Sequence, residues 1–262
     1  MQKLSKFDLL VFDIDGVLLD VTHSFPLVIN KAIKQALDKF CLACSELPYG
    51  EQEEKFLKLH GGFNDDWDIA LFLANLALKK KQTNSTCQFY NPTLDEIKEA
   101  SADHYFPTEK WIADKFGTII NRDNLRTVCD ELYSNRENGA YKTEKNLIKI
   151  SWKEIPLPVA IYTGRYGIEY AHALECLGWE DFPRSHAITV DDGVSKPNPK
   201  GLEILANRLG GKHLAFFGDT GSDKQCLDSY GKGEFFAIGN LLKDYPNHFD
   251  NIQDALKKAL EL

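Results

Sequence analysis

The sequence predicts an α/β fold in which an open, doubly wound parallel sheet contains an inserted α-helical domain. Three observations lead to this prediction. Short apolar runs occur that are typical of strands buried on both faces of a parallel sheet. In the second half of the chain these runs alternate with helical patterns, and a long stretch of helical periodicity separates the first run from the others. With 262 residues and 43% hydrophobic residues, the chain can bury a core of this kind.

The first strand is predicted within residues 7–14, where "FDLLVFDI" is almost continuously apolar. From about residue 24 to about residue 148 the pattern becomes helical, with apolar residues three and four positions apart. The helical candidates in this stretch are 25–40, 65–80, 94–105 and 122–133. The central part of 65–80 is apolar on nearly every side, which predicts a helix inside a helical bundle.

Strand patterns return after residue 158, rich in β-branched and aromatic residues. They are "VAIYTG" (159–164), "HAITV" (186–190), "HLAFFGD" (213–219) and "FFAIGN" (235–240). Strands that alternate with helices form parallel sheets through right-handed crossovers. We therefore predict a core domain of residues 1–21 and 150–262. Residues 22–149 would form a helical domain above the carboxyl ends of the strands, where open α/β sheets bind ligands.

Composition restricts the partners and the compartment. The formal net charge of −8 predicts no nucleic-acid partner, because a general basic surface is missing. The first ten residues contain no long apolar segment, so we expect neither a membrane partner nor a secretory signal. The six cysteines are mostly isolated in the sequence, which is typical of reduced thiols in a cytoplasmic protein.

Acidic residues follow two of the predicted strands. Asp13 and Asp15 follow the first strand, and Asp219 and Asp223 follow the strand that begins near residue 213. Because parallel strands end at the same edge of a sheet, four acids would meet there, and uncompensated charge of this kind is costly. An all-oxygen ligand set suits Mg²⁺. The sequence therefore predicts a magnesium site.

Groups suited to binding an anion follow the other strands. Thr163 offers a hydroxyl group, and Gly164 offers a main-chain N–H without side-chain bulk. Lys196, in "SKPNPKG", provides a positive charge that could neutralise a phosphoryl group and a nearby carboxylate. Anion donors beside a metal site suggest phosphoryl transfer. For Arg165 we leave two roles open, contact with a substrate anion or a place on the surface.

These motifs resemble those of the haloacid dehalogenase (HAD) superfamily, in the type with a helical cap inserted after the first motif. The match includes D-x-D-G-V at 13–17, a threonine after the second strand, K-P-x-P at 196–199 and G-D-x-x-x-D at 218–223. The chain is most similar to the phosphoglycolate phosphatase-like group. The segment "HGGFNDDWDIA" (60–70) also resembles a subgroup of capped phosphatases. The resemblance implies a Rossmann-like HAD core.

The resemblance also implies roles for the acidic residues. Asp13 would attack phosphorus and form an aspartyl-phosphate. Asp15 would protonate the leaving oxygen and then activate the water that attacks the intermediate. Mg²⁺ would be held by the Asp13 carboxylate, the Asp15 main-chain carbonyl and Asp219, with Asp223 acting directly or through water. The implied activity is a Mg²⁺-dependent phosphomonoesterase that acts on a small phosphorylated metabolite, similar to phosphoglycolate.

Three alternative functions stay open at this point. Relatives that displace halide, such as 2-haloacid dehalogenases, typically lack the second aspartate of the motif, so Asp15 favours phosphate chemistry. A capped phosphomutase keeps both acids and is not excluded. A non-catalytic binding module with the same fold would have no chemical need for the complete set of acids and anion donors. Gly164 and Arg165 depart from the phosphoglycolate phosphatase pattern, where asparagine often follows the threonine, and this departure concerns the identity of the substrate.

Specificity would depend on the inserted helical domain. Asn64, Asp65 and Trp67 are candidate substrate contacts, because two glycines precede them and a helix follows. The alternative is that Asp65 or Asp66 caps this helix and that Trp67 packs inside the bundle.

Overall fold

The computed structural model describes residues 5–40, 49–59, 63, 65–83 and 91–261. The chain divides into two compact units. The core unit consists of Met1–Thr22 and Glu144–Leu262, and the helical unit consists of His23–Thr143.

The second boundary between the units lies between residues 143 and 144, whereas the helical pattern of the sequence predicts it at 149/150. Two observations explain why the segment 144–149 belongs to the core unit. Lys145–Asn146 pairs with Leu19–Asp20 in a short antiparallel ladder, and Ile148 is buried in the hydrophobic core. A two-residue strand has too few positions to show an alternating pattern in the sequence.

Six parallel strands form the sheet of the core unit, and two short strands form a separate antiparallel pair, counted over the described residues. The strands are β1 (Leu9–Phe12), β2 (Leu19–Asp20), β3 (Lys145–Asn146), β4 (Val159–Tyr162), β5 (Ala187–Ile188), β6 (Leu214–Gly218), β7 (Gly233–Ile238) and β8 (His248–Phe249). The order in the sheet is β5-β4-β1-β6-β7-β8, and β2 pairs with β3. The strand that begins the chain is therefore central, and the predicted parallel α/β sheet is confirmed.

The helices divide between the units. Those of the helical unit are α1 (Phe25–Asp38), α2 (Glu51–Leu59), α3 (Asp66–Thr83), α4 (Leu94–Ser101), α5 (Thr108–Phe116) and α6 (Arg122–Ser134), and those of the core unit are α7 (Gly167–Leu177), α8 (Lys200–Leu209), α9 (Gly221–Tyr230) and α10 (Ile252–Leu260). The four helices predicted within 25–133 are present. Among the described residues, no helix is both long and apolar enough to cross a membrane.

Both faces of the core sheet are covered. On one face Leu10 and Phe12 pack in a buried cluster with residues of α7 and α10. On the other face Leu9 and Val11 pack with residues of α8 and α9. Burial on both faces explains why β1 is a continuous apolar run. It also means that the first polar residue after the strand, Asp13, comes directly out of the core.

Candidate active site

Three neighbouring strands place the predicted site residues at one edge of the sheet. β1 pairs in parallel with β4 on one side and β6 on the other, with Phe12 opposite both Ile161 and Phe217. Asp13 follows Phe12 directly, and its N–H continues the ladder by donating to the Phe217 carbonyl at 2.9 Å. The ends of β4 and β6 are therefore next to the end of β1, as the parallel arrangement requires.

A tight turn follows β1 and separates the two acids of the motif. The carbonyl oxygen of Ile14 accepts hydrogen bonds from the N–H groups of Val17, Leu18 and Leu19, at 3.2, 2.8 and 2.9 Å. Gly16 has a φ of 71°, a left-handed conformation that favours glycine. A Cβ at Gly16 would also lie 2.3 Å from Oδ2 of Asp219. The glycine of the motif is thus needed for the turn and for the close approach of Asp219.

Asp13, Asp219 and Asp223 form a cluster of carboxylates. Each offers one oxygen atom, and these oxygens all lie within 4.8 Å of one another. Asp13 is only 4% exposed and Asp223 is fully buried. Asp219 is partly buried. Three carboxylates so close together, two of them buried, need positive charge to compensate them.

Lys196 supplies part of this compensation. Its Nζ lies 2.8 Å from Oδ1 of Asp13 and 2.7 Å from Oδ1 of Asp223. Burial raises the pKa of Asp13 to about 7; the Lys196 ammonium opposes this rise, and the carboxylates of Asp223 and Asp15 add to it. Burial alone would lower the pKa of Lys196, but the charges of Asp13 and Asp223 outweigh that effect and raise it. One ammonium group therefore compensates its two buried partners only in part.

Asp223 has both of its carboxylate oxygens in contact with other groups. Oδ1 faces Lys196, while Oδ2 accepts hydrogen bonds from the N–H and the hydroxyl group of Thr220, at 3.1 and 2.6 Å. Thr220 is the N-cap of α9, and the two residues form a reciprocal capping box. The sequence motif G-D-x-x-x-D thus combines a helix cap with a group that orients the lysine.

Thr163 and Gly164 lie just beyond β4. Thr163 is buried, and its Oγ1 accepts a hydrogen bond from the N–H of Arg165 at 3.2 Å, so that its hydroxyl hydrogen can point elsewhere. A Cβ at Gly164 would meet no atom within 4 Å, and Gly164 is exposed. The protein itself leaves room beside this main-chain N–H, as an anion site requires.

Asp15 has different surroundings from Asp13. Its Oδ1 accepts hydrogen bonds from Nε and Nη2 of Arg165, at 2.9 and 2.6 Å. The same Nη2 lies 3.0 Å from Oε2 of Glu144, a side chain that is 1% exposed. Arg165 is itself 1% exposed, so it lies in the interior and not on the surface, and its Nε and Nη2 groups donate to carboxylates of the protein. Sequence reasoning missed Glu144, because a single glutamate after a helical segment has no distinguishing pattern.

The candidate contacts in the helical unit have structural partners. Oδ1 of Asp65 accepts a hydrogen bond from the N–H of Trp67 at the start of α3, and its Oδ2 pairs with Arg126. Trp67 is buried against Phe25. The structure thus favours the alternative of a helix start and a packed tryptophan over substrate contact. Asn64 lies outside the described residues.

Solved structures with the same fold extend over nearly the whole chain. The phosphatase Tt82 from Thermococcus thioreducens has 22% identity and a TM-score of 0.67, with coverage of 97% of this chain and 99% of that chain. A protein predicted to be a phosphoglycolate phosphatase, from Haemophilus somnus, has 18% identity and a TM-score of 0.59, with coverage of 98% and 99%. A protein assigned as a β-phosphoglucomutase, from Thermotoga maritima, has 14% identity and a TM-score of 0.52, with coverage of 97% and 99%. At these identities the likeness concerns the fold.

Sequence comparison identifies the family. None of the curated proteins matches the chain. The model of the haloacid dehalogenase-like hydrolases matches residues 7–227, which include all of the motifs described above. The chain therefore belongs to the haloacid dehalogenase-like hydrolase family.

Proposed function

We propose that the protein is a Mg²⁺-dependent phosphomonoesterase that hydrolyses a small phosphorylated metabolite through an aspartyl-phosphate on Asp13. The observation that supports this most is the contrast between the two acids after β1. Asp13 is buried beside Lys196 and two further carboxylates, whereas Asp15 is held by Arg165 and its side chain stays 25% exposed. Two carboxyl groups with different surroundings can take two different roles in one reaction.

The residues present fit a divalent cation. Asp13, Asp219 and Asp223 provide only oxygen ligands, which is the ligand type that Mg²⁺ prefers. The space beside Asp219 depends on the missing Cβ of Gly16. We infer that Asp13, Asp219 and the Asp15 main-chain carbonyl would hold the ion, with Asp223 acting through water because its oxygens already face Lys196 and Thr220. Bound Mg²⁺ would screen the repulsion between the nucleophile and the phosphate.

Asp13 and Asp15 would carry out the two chemical steps of the proposed reaction. A carboxylate oxygen of Asp13 attacks phosphorus while the bond to the leaving oxygen breaks, and Asp15 gives its proton to that oxygen. The ionised Asp15 then takes a proton from a water molecule, which attacks the phosphorus of the aspartyl-phosphate. This second step releases inorganic phosphate and regenerates Asp13. One residue thus serves as acid and then as base.

Three groups would bind the phosphoryl oxygens during both steps. The hydroxyl group of Thr163 and the N–H of Gly164 offer hydrogen bonds, and Lys196 offers a charge that already faces Asp13. Donors fixed before the substrate arrives stabilise the charge that develops in the transition state. We further propose that the helical unit selects the substrate. Phosphoglycolate is the first compound to test, since the Haemophilus somnus protein of the same fold is predicted to be a phosphoglycolate phosphatase.

The proposal is tested by measuring release of inorganic phosphate from a panel of phosphomonoesters, phosphoglycolate included, with Mg²⁺ or with EDTA. We expect Mg²⁺-dependent turnover that Asp13→Asn abolishes. Asp20→Asn is the matched control, because this acid in the same region accepts hydrogen bonds from Thr22 and has no place in the mechanism. It should retain activity.

Other outcomes would point to other functions. Phosphate that moves between two hydroxyl groups without release would indicate a mutase. Release of halide from 2-haloacids would indicate a dehalogenase. A folded protein that binds phosphorylated compounds without turnover would indicate a binding module. Each of these results would contradict the phosphomonoesterase.

A further inference from the structure

Arg165 lies at the centre of a buried network that ends at Asp15. Within the described residues, three partners of its guanidinium group are Oδ1 of Asp15, Oε2 of Glu144 and the main-chain oxygen of Glu169, the last at 3.0 Å from Nη1. All three partners belong to the core unit. With 1% of its side chain exposed, Arg165 is buried, and its Nε, Nη1 and Nη2 groups already donate to oxygens of the protein. Its contact with the reaction passes through Asp15.

Each of the three partners is held by its own local structure. Asp15 belongs to the tight turn in which Gly16 N–H donates to the Leu19 carbonyl at 2.9 Å. Glu144 immediately precedes β3, which pairs with β2 just after that turn. The main-chain oxygen of Glu169 lies in the first turn of α7, where the Glu169 side chain accepts from Tyr166 N–H. The position of Arg165 is thus fixed by Glu144 and by the main chain of Glu169, independently of Asp15.

The direction of the hydrogen bonds decides which oxygen of Asp15 can hold a proton. Nε and Nη2 both donate to Oδ1, at 2.9 and 2.6 Å. A proton on Oδ1 would point against these N–H groups, so that oxygen serves as the acceptor. The proton of a neutral Asp15 then belongs on Oδ2, in a side chain that is 25% exposed.

Arg165 shares its positive charge between Asp15 and a second carboxylate, that of Glu144. Nη2 lies at hydrogen-bond distance from both carboxylates, 2.6 Å from Asp15 and 3.0 Å from Glu144. The buried Glu144 therefore compensates the charge of the guanidinium group, whose planar set of N–H donors remains available to orient Asp15.

We infer that Arg165, held by Glu144 and by the main chain of Glu169, is a positioning residue that fixes Asp15 with Oδ2 directed to the leaving oxygen. This inference rests on the proposed phosphomonoesterase function. Its consequence is a dependence on the leaving group. Ester bonds to alcohols require the proton from Asp15, whereas p-nitrophenolate leaves without one, so loss of Arg165 affects the two classes of ester unequally.

The test compares kcat/KM for benzyl phosphate and p-nitrophenyl phosphate, two esters of similar size. The variants are Arg165→Met combined with Glu144→Gln, which removes one buried positive and one buried negative charge together, and Arg165→Lys, which keeps a charge but has a single nitrogen. Asp15→Asn provides the reference for complete loss of the acid. Arg184→Gln is the matched control, because Arg184 also bonds an aspartate and a main-chain oxygen of the core unit but lies in a different network.

We expect the Arg165 and Glu144 double variant to lose about 100-fold in kcat/KM with benzyl phosphate and only a few-fold with p-nitrophenyl phosphate, in line with the range of general acid catalysis. Arg165→Lys should show the same selective loss, to a smaller extent. In the Asp15→Asn background the double variant should cause no further loss with benzyl phosphate, because the two changes affect the same step. Arg184→Gln should show no selective loss.

The outcomes separate the inference from the function. Equal losses for both esters, in variants with wild-type circular dichroism, would mean that Arg165 is only structural, while the phosphomonoesterase would still stand. A further loss in the Asp15→Asn background would also overturn the positioning role. A wild-type protein without Mg²⁺-dependent turnover of either ester, or of any other monoester, would remove the proposed function and the inference with it.

Discussion

Replacement of Asp68 by asparagine should change how the stability of the helical unit depends on pH. Asp68 lies in the first turn of α3 and is nearly buried, with Arg122 Nε at 2.9 Å from its Oδ1. Burial raises the pKa of Asp68 from 3.8 to about 6; Asp65 adds to this rise, and the hydrogen bond and charge of Arg122 oppose it. Asparagine has nearly the same shape and can still accept from Arg122, but it does not titrate.

The sign follows from the protons bound in each state. Between pH 4 and pH 6 the folded protein keeps its proton on Asp68 while the unfolded chain loses it, so the wild type loses stability as the pH rises. From the two pKa values, the full effect is about 3 kcal/mol above pH 7. About 2 kcal/mol of this should develop between pH 4 and pH 7. The free energy of unfolding of Asp68→Asn, minus that of the wild type, should increase by this amount over the same range.

The assay is urea unfolding at several pH values, followed by hydrogen exchange of peptides from α3 and α6, so that it reports on the helical unit. Asp95→Asn is the control, because it removes an acid of the same unit whose side chain is 95% exposed. A difference between Asp68→Asn and the wild type that stays constant from pH 4 to pH 7, or that decreases, would refute the reasoning.

Three further substitutions test the core unit. Lys196→Met should lower the free energy of unfolding by about 3–5 kcal/mol, because it leaves two buried carboxylates without their ammonium partner. Saturating Mg²⁺ should restore part of the lost Tm of this variant, and equal Tm values with and without Mg²⁺ would contradict the prediction. Gly16→Ala should destabilise the protein by about 1–2 kcal/mol, because φ at this position is positive. The new Cβ would also meet Asp219, so calorimetry should show weaker Mg²⁺ binding; unchanged binding would oppose that prediction. Gly164→Ala should keep the wild-type Tm, since its Cβ would meet no atom within 4 Å. The added methyl group should obstruct the main-chain N–H and so raise KM for phosphomonoesters; a lower Tm or an unchanged KM would argue against the anion site.

The sequence predicted the sheet well for a physical reason. Strands buried on both faces must be continuously apolar, and β1, β4 and β6 are short runs of this kind that stand out in any part of a chain. The two-residue strands β2 and β3 have no such pattern, since their pairing depends on which segments the fold brings together. The helical unit was also indicated by the change in the spacing of apolar residues from a strand pattern to a helical pattern, although its second boundary lies at 143/144.

The site was predictable to the extent that its residues follow strands. Asp13, Thr163 and Asp219 come directly after or close to β1, β4 and β6, so the parallel order of the strands was enough to expect them together. Lys196 lies in a loop, and its charge predicted only that it could neutralise a nearby carboxylate; the structure identifies its partners as Asp13 and Asp223. The candidate contacts Asp65 and Trp67 in the helical unit were harder to judge, because a polar helix start looks alike in a binding site and in a packed bundle.

What the sequence by itself determined is the chemistry available at one edge of the sheet: four acids, a lysine, and a hydroxyl group next to a glycine. The family membership follows from the same motifs. Only the tertiary structure decided which charged side chains pair with one another. Arg165 and Asp15 are 150 positions apart in the chain, and Glu144 comes from a third segment. Pairing of buried charges depends on distances of a few ångströms between separate segments, and those distances exist only after the chain has folded.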